Sequence, residues 1–264
     1  HDGMTAKRRD AILALVNTKG GVGKTTSAVN LAAGLAALGR KVLLADLDAQ
    51  GSASLSLGLS RAELKPGAAE VIIEGRPIRN AIRASYIEGL DILPASMALA
   101  SADLALSGIR GREAILRNAI EPVRQEYDVA ILDCPPSLGL LTVNALTTAD
   151  YFLVPVTPDY LALEGLVNLL EAVERIRAGI GTTAELLGIL LTLADYRLNV
   201  TEEIIGMIRK HYGRAVFKTE IRGNVRLKEA PSFGKTIFDY DNGSHGADGY
   251  RALTKEILAR MEAE

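Results

Sequence analysis

The chain has 264 residues, 48% of them hydrophobic, and a formal net charge of −2. That length and apolar content suit one α/β domain with a full core, and the near-neutral balance excludes contact with nucleic acid through bulk charge alone. A single cysteine, Cys134, excludes an internal disulfide framework and a four-cysteine metal or iron–sulfur site within the chain.

His1-Asp2-Gly3 ahead of Met4 reads as a tag remnant, followed by one domain over residues 4–264. The start lacks a basic-then-apolar leader, and no run approaches the roughly 20 apolar residues of a membrane span. A cytoplasmic chain without membrane contact is expected. Ala11–Val16 reads as the first strand. Lys24–Leu38 follows as a helix, with Ala28, Leu31, Ala32, Leu35 and Leu38 in an apolar stripe and Gly39 as its stop. Further strands are expected at Val42–Ala45, Val129–Leu132, Phe152–Val156 and Gly188–Thr192. Helices are expected at Arg112–Glu126, Leu161–Arg177, Thr201–His211 and Gly246–Met261, with a turn at Asp241-Asn242-Gly243-Ser244. Strands apolar on both faces, alternating with helices, predict an α/β fold: a doubly wound, mostly parallel sheet with helices on both faces.

The strongest motif is Lys19-Gly20-Gly21-Val22-Gly23-Lys24-Thr25-Thr26, directly after the first strand and opening the first helix. Glycines there let backbone N–H groups approach phosphate oxygens, and the helix N-terminus adds partial positive charge. In this P-loop reading Lys24 reaches the β- and γ-phosphates and the Thr25 hydroxyl ligates Mg2+. Asp46 and Asp48 follow the second strand in Leu44-Ala45-Asp46-Leu47-Asp48-Ala49-Gln50-Gly51. Asp133 ends the apolar run Val129–Leu132, with Cys134-Pro135-Pro136-Ser137 behind it. Carboxylates at the C-terminal ends of parallel strands stand where such sheets bind ligands. Asp133 is a candidate Mg2+ ligand, and Cys134 reads as a small packed residue.

Thr18 occupies the place of the usual first glycine, and Lys19 adds a second lysine five positions ahead of Lys24. This block resembles the deviant Walker A motif of the ParA/MinD superfamily, within a P-loop NTPase fold. The blocks Ala162-Leu163-Glu164-Gly165 and Asn224–Lys235 resemble its chromosomal ParA, or Soj, branch, so the likeness spans roughly residues 10–260. The resemblance implies an ATPase whose two subunits sandwich ATP, with Lys19 reaching the partner's nucleotide. It implies that Asp48 orients the attacking water and that Asp46 supports either the Mg2+ shell or the loop. It also implies that the Asp133–Ser137 segment is a switch and that Asn224 contacts adenine. Ala49 stands where the family has proline, and Ile221-Arg222-Gly223-Asn224 replaces Ile-Pro-Arg-Asn.

Residues 205–240 carry eight Lys and Arg against three acids, a local excess that suits contact with DNA phosphates without base readout. The DNA-contacting candidates are Arg197, by its resemblance to a family block, with Arg222, Arg226 and Lys228. The expected function is an ATP-dependent partitioning switch: an ATP-bound homodimer on nucleoid DNA, reset when a ParB-type partner stimulates hydrolysis. The alternative is a MinD-like, membrane-associated division regulator. Against it, the last helix has balanced charge and few bulky apolar residues. A nitrogenase-reductase-like cluster carrier fits poorly with one cysteine, and Lys19 with the Asp46/Asp48 pair argues against a small-molecule kinase.

Overall fold

The computed structural model describes residues 10–182 and 184–263; His1-Asp2-Gly3 lies outside the described residues. Seven strands are β1 (Ala11–Leu15), β2 (Val42–Asp46), β3 (Arg83–Ala84), β4 (Leu90–Leu93), β5 (Val129–Asp133), β6 (Tyr151–Val156) and β7 (Glu185–Leu191). They form one sheet in the order β3-β4-β2-β5-β1-β6-β7, parallel except where β3 pairs antiparallel with β4. The helices are α1 (Lys24–Ala37), α2 (Ser52–Ser56), α3 (Ala68–Glu74), α4 (Ala102–Ala105), α5 (Ile115–Ile120) and α6 (Leu140–Thr148). They continue as α7 (Ala162–Ile180), α8 (Asn199–Tyr212), α9 (Val225–Glu229), α10 (Ile237–Tyr240) and α11 (His245–Glu262).

The alternation of side chains along a strand sorts the apolar runs into two cores. Ile12, Ala14 and Val16 face one core, shared with Ile72 of α3, Leu116 of α5, Leu146 of α6, Leu166 of α7 and Ile208 of α8. Leu13 and Leu15 face the other, with Leu31 and Leu35 of α1 and Tyr250, Leu253 and Ile257 of α11. The predicted doubly wound sheet is therefore the observed one. In the second core α11 lies close against α1. A Cβ on Gly34 would stand 2.4 Å from the Thr254 Oγ1, so glycine sets that approach. The buried Tyr250 hydroxyl and the Ser27 hydroxyl share a hydrogen bond of 2.9 Å.

One expectation changes. The single helix predicted over Arg112–Glu126 breaks into a 3-10 turn, α5, and a second 3-10 stretch over Glu121–Glu126. Pro122 cannot donate a helical hydrogen bond and its ring crowds the preceding turn, which accounts for the break before β5. Of the basic residues in 205–240, Arg209, in the last turn of α8, pairs with Glu220 at 2.6 Å, and Glu220 also bonds the hydroxyl of Tyr196, over whose ring Arg222 lies.

Candidate functional site

Between β1 and α1 the chain turns through Gly21 and Gly23, with φ of 72° and 71°, a left-handed conformation that side-chain-bearing residues rarely adopt. Gly23 caps α1 without any side-chain hydrogen bond, and the first turn of the helix carries no acid. The first N–H groups of a long helix are thereby left for an anion. The loop is tied at both ends. Asn17 donates to the Pro155 carbonyl at 2.7 Å and accepts from the Lys19 N–H at 2.9 Å. The buried Thr192 hydroxyl, just past β7, donates to the Val22 carbonyl at 2.6 Å. Lys19–Thr26, Asp48 and Pro136 line a cavity of about 240 Å3.

Asp133 lies under that cavity as the last residue of β5, fully buried between β1 and β2. It accepts from the Lys24 ammonium at 3.2 Å and from the Thr25 hydroxyl at 2.8 Å. Because Thr25 donates its proton to Asp133, its oxygen keeps lone pairs for a cation. Burial opposes the Lys24 charge, but the neighbouring Asp133 carboxylate outweighs it and raises the lysine pKa. Burial likewise raises the Asp133 pKa, against the pull of Lys24 and Thr25. Burial also pushes the Cys134 thiol up to about 12, so it stays protonated and packed.

The two aspartates after β2 part company. Asp48 is half-buried, lines the cavity, and caps the next turn by accepting from the Gln50 N–H at 3.0 Å. Asp46 is fully buried beside Asp133 in the sheet register. Its carboxylate accepts from the Ser54 N–H (3.0 Å), the Ser54 hydroxyl (2.7 Å) and the Asp48 N–H (3.2 Å). Both oxygens are thus engaged by donors of the loop, and Asp46 is not among the residues that line the cavity. It holds the loop that presents Asp48.

Burial, then the Asp133 charge, raises Asp46 from 3.8 to about 7. Between about pH 4 and 7 the folded chain keeps a proton that the unfolded chain has lost. Stability conferred by that proton falls as pH rises through this window. Asp46→Asn should flatten the fall, measured as urea midpoints of the ligand-free protein from pH 5 to pH 8. Parallel curves for the two proteins would show that another group titrates.

Lys19 is treated differently from Lys24. Its side chain is 57% exposed and its ammonium meets Asp159, on the β6–α7 connection, at 2.5 Å. Asp159 was not singled out from the sequence; a carboxylate just past the strand beside β1 is the signal that could have found it. A second cavity, of about 600 Å3, opens on the other side of the loop, where Leu193 packs against Gly23. Asn224 lines it, and so do three of the four cations expected on DNA: Arg197, Arg222 and Lys228. Arg197 pairs with Asp195 at 2.8 Å, and Arg222 lies 5.2 Å from the Tyr196 ring centroid. The fourth, Arg226, pairs with Glu229 at 3.2 Å and Asp241 at 3.5 Å.

Comparison with known proteins places this geometry. The AAA domain family matches residues 10–186. The sporulation initiation inhibitor protein Soj of Bacillus subtilis is 45% identical, over 94% of this chain and 98% of its own length. The chromosome-partitioning ATPase Soj of Thermus thermophilus is also 45% identical, over 95% of this chain and 96% of its own. The chain belongs to the Soj/ParA family of chromosome-partitioning ATPases. The fold extends to a solved cobyrinic acid a,c-diamide synthase from Mycobacterium smegmatis with a bound ATP analogue and magnesium. That structure matches with a TM-score of 0.83 and 32% identity over 97% of both chains. Its named chemistry is its own; the Soj relatives are the more similar in sequence.

Proposed function

We propose that this chain, a single ATPase domain, is an ATP-driven DNA-partitioning switch working as a homodimer. The observation that carries the reading is the division of labour between two lysines of one loop. Lys24 is buried on Asp133 beneath the cavity, whereas Lys19 is exposed and held only by Asp159 at the surface. An exposed ion pair contributes little, roughly 0–1 kcal/mol, so Lys19 leaves Asp159 at small cost to meet a phosphate across a dimer. A cation arriving in trans neutralises charge on the transferring phosphoryl group, as an arginine finger does.

In this reading the N–H groups from Gly20 to Thr26 hold the phosphates and Lys24 binds the β- and γ-phosphates. The Thr25 hydroxyl would hold Mg2+, and Asp133, which accepts its proton, would order the same site. Mg2+, when bound, neutralises phosphate charge. Asp48, at the cavity wall, orients the attacking water, and Asp46 fixes the turn that holds Asp48. Asn224 and its neighbours take the adenine, and Lys228 and Arg222 with the adjacent cations meet DNA phosphates. A ParB-type partner stimulates hydrolysis, which places the protein in the cytoplasm on the nucleoid. The last helix supports DNA over a membrane surface as the output: α11 turns its apolar face into the core against α1. Among the described residues, no helix is long and apolar enough to cross a membrane.

Gel filtration and DNA-shift assays test the proposal. ATP with Mg2+, and not ADP, should give a dimer that shifts duplex DNA without sequence preference. Doubling the cations engaged steepens the salt dependence by about 0.9 in log–log slope per added phosphate contact. Equal DNA affinity with ATP and ADP would end this reading.

A further inference from the structure

The 600 Å3 cavity beside the loop has a carboxylate in its wall, and the partner of that carboxylate limits what the cavity can recognise. Asp195 is held firmly. Its carbonyl accepts from the Thr201 hydroxyl of α8 at 2.7 Å, and the preceding Ala194 is bridged to Arg222. Its carboxylate accepts three bonds from one residue: the Arg197 N–H at 3.1 Å, Nε at 2.9 Å and Nη2 at 2.8 Å. These bonds hold the Asp195 pKa down at about 2.

The other side-chain acceptors lining the cavity are also engaged. Asn224 Oδ1 accepts from the Arg226 N–H at 2.9 Å, which turns the amide so that its NH2 group is the end left for a ligand. The Tyr196 hydroxyl bonds to Glu220. The cavity therefore offers the Asn224 amide as a donor, and the carboxylate in its wall is engaged by Arg197.

We infer that Arg197 is a specificity-determining residue: by filling the Asp195 carboxylate it makes the cavity favour adenine over guanine. The inference rests on the reading that this cavity holds the nucleobase. Guanine presents N1–H and the 2-amino group as two parallel donors, which a free carboxylate accepts together, as it accepts an arginine fork. Adenine has no such pair; its ring nitrogens are acceptors that suit the Asn224 amide. With Arg197 in place, guanine's two donors meet no free carboxylate in the wall, and that missing acceptor pair is the basis of discrimination. Removing the guanidinium frees the carboxylate and supplies the missing acceptor. The Arg197 side chain is 90% exposed, so water weakens the clamp and the expected discrimination is moderate.

The test compares binding of fluorescent N-methylanthraniloyl ATP and GTP, with Mg2+ and without DNA, to wild type, Arg197→Ala and the double variant Asp195→Ala/Arg197→Ala. The GTP-to-ATP affinity ratio should rise about tenfold in Arg197→Ala and return to the wild-type value in the double variant. A role of Arg197 in DNA contact alone would leave the ratio unmoved in a DNA-free assay. An unchanged ratio in a chain that still binds ATP overturns the inference and leaves the nucleotide site standing. A rise that persists in the double variant overturns it too, because the gain would not pass through Asp195. Wild type that binds neither nucleotide overturns the inference together with the reading beneath it.

Discussion

Replacing Lys24 with alanine should end ATP turnover, with a fall of at least about 10²–10³-fold, and destabilise the ligand-free fold by about 3 kcal/mol. The two effects share one cause. Lys24 is 7% exposed and Asp133 is fully buried, and each is the other's charged partner. Without the ammonium, Asp133 keeps the Thr25 hydroxyl as its side-chain donor among the described residues and must stay ionised at a high desolvation cost or take up a proton. Protonation is the cheaper course, because burial already raises its pKa, and it caps the loss near the lower end of the range for broken buried pairs. Catalytically, the change removes the buried cation proposed to bind the β- and γ-phosphates. Phosphate release and thermal unfolding measure the two effects. Because the partners touch, Lys24→Ala and Asp133→Asn should combine to less than their sum in stability. Turnover within tenfold of wild type would remove Lys24 from the phosphate site.

Asp48→Ala should separate binding from hydrolysis. Turnover should fall by about 10²–10⁴-fold, the usual contribution of a positioned proton acceptor, while ATP still binds. The variant should then accumulate as an ATP-bound dimer on DNA. Asp48 stands at the cavity wall, outside the buried Lys24–Thr25–Asp133 cluster, so its loss does not unpair a buried charge. The contrasting change is Asp46→Ala, which strips three hydrogen-bond donors of their acceptor and should appear chiefly as lost stability. Wild-type turnover in Asp48→Ala would refute its assignment, whereas trapped dimers in both variants would show that the two aspartates act as one unit.

The phosphate loop and the sheet were legible because both are local. Glycines, lysines and the following helix are neighbours in the chain, and apolar runs ending in an acid mark strand ends directly. The distinct parts of Asp46 and Asp48 were not legible. They are set by Ser54, brought round by α2, and by burial between β2 and β5. The pairing of the basic segment was not legible, because it depends on which acids the fold brings beside each cation: Glu220 meets Arg209, and Glu229 and Asp241 both meet Arg226. The short β4 (Leu90–Leu93) escaped because four residues carry too little pattern to separate a strand from a buried loop.

The contact between α1 and α11 has a consequence for how the protein is made. Ser27 and Tyr250 are 223 positions apart, and Gly34 packs on Thr254 over a similar separation. The helix that opens at the phosphate loop therefore waits for the whole sheet, and the helices between β7 and α11, to be translated before its outer face is covered. Until then an emerging chain has the loop residues in order but not the layer that stiffens them. Competence for nucleotide should arise abruptly, once α11 has emerged and docked on α1.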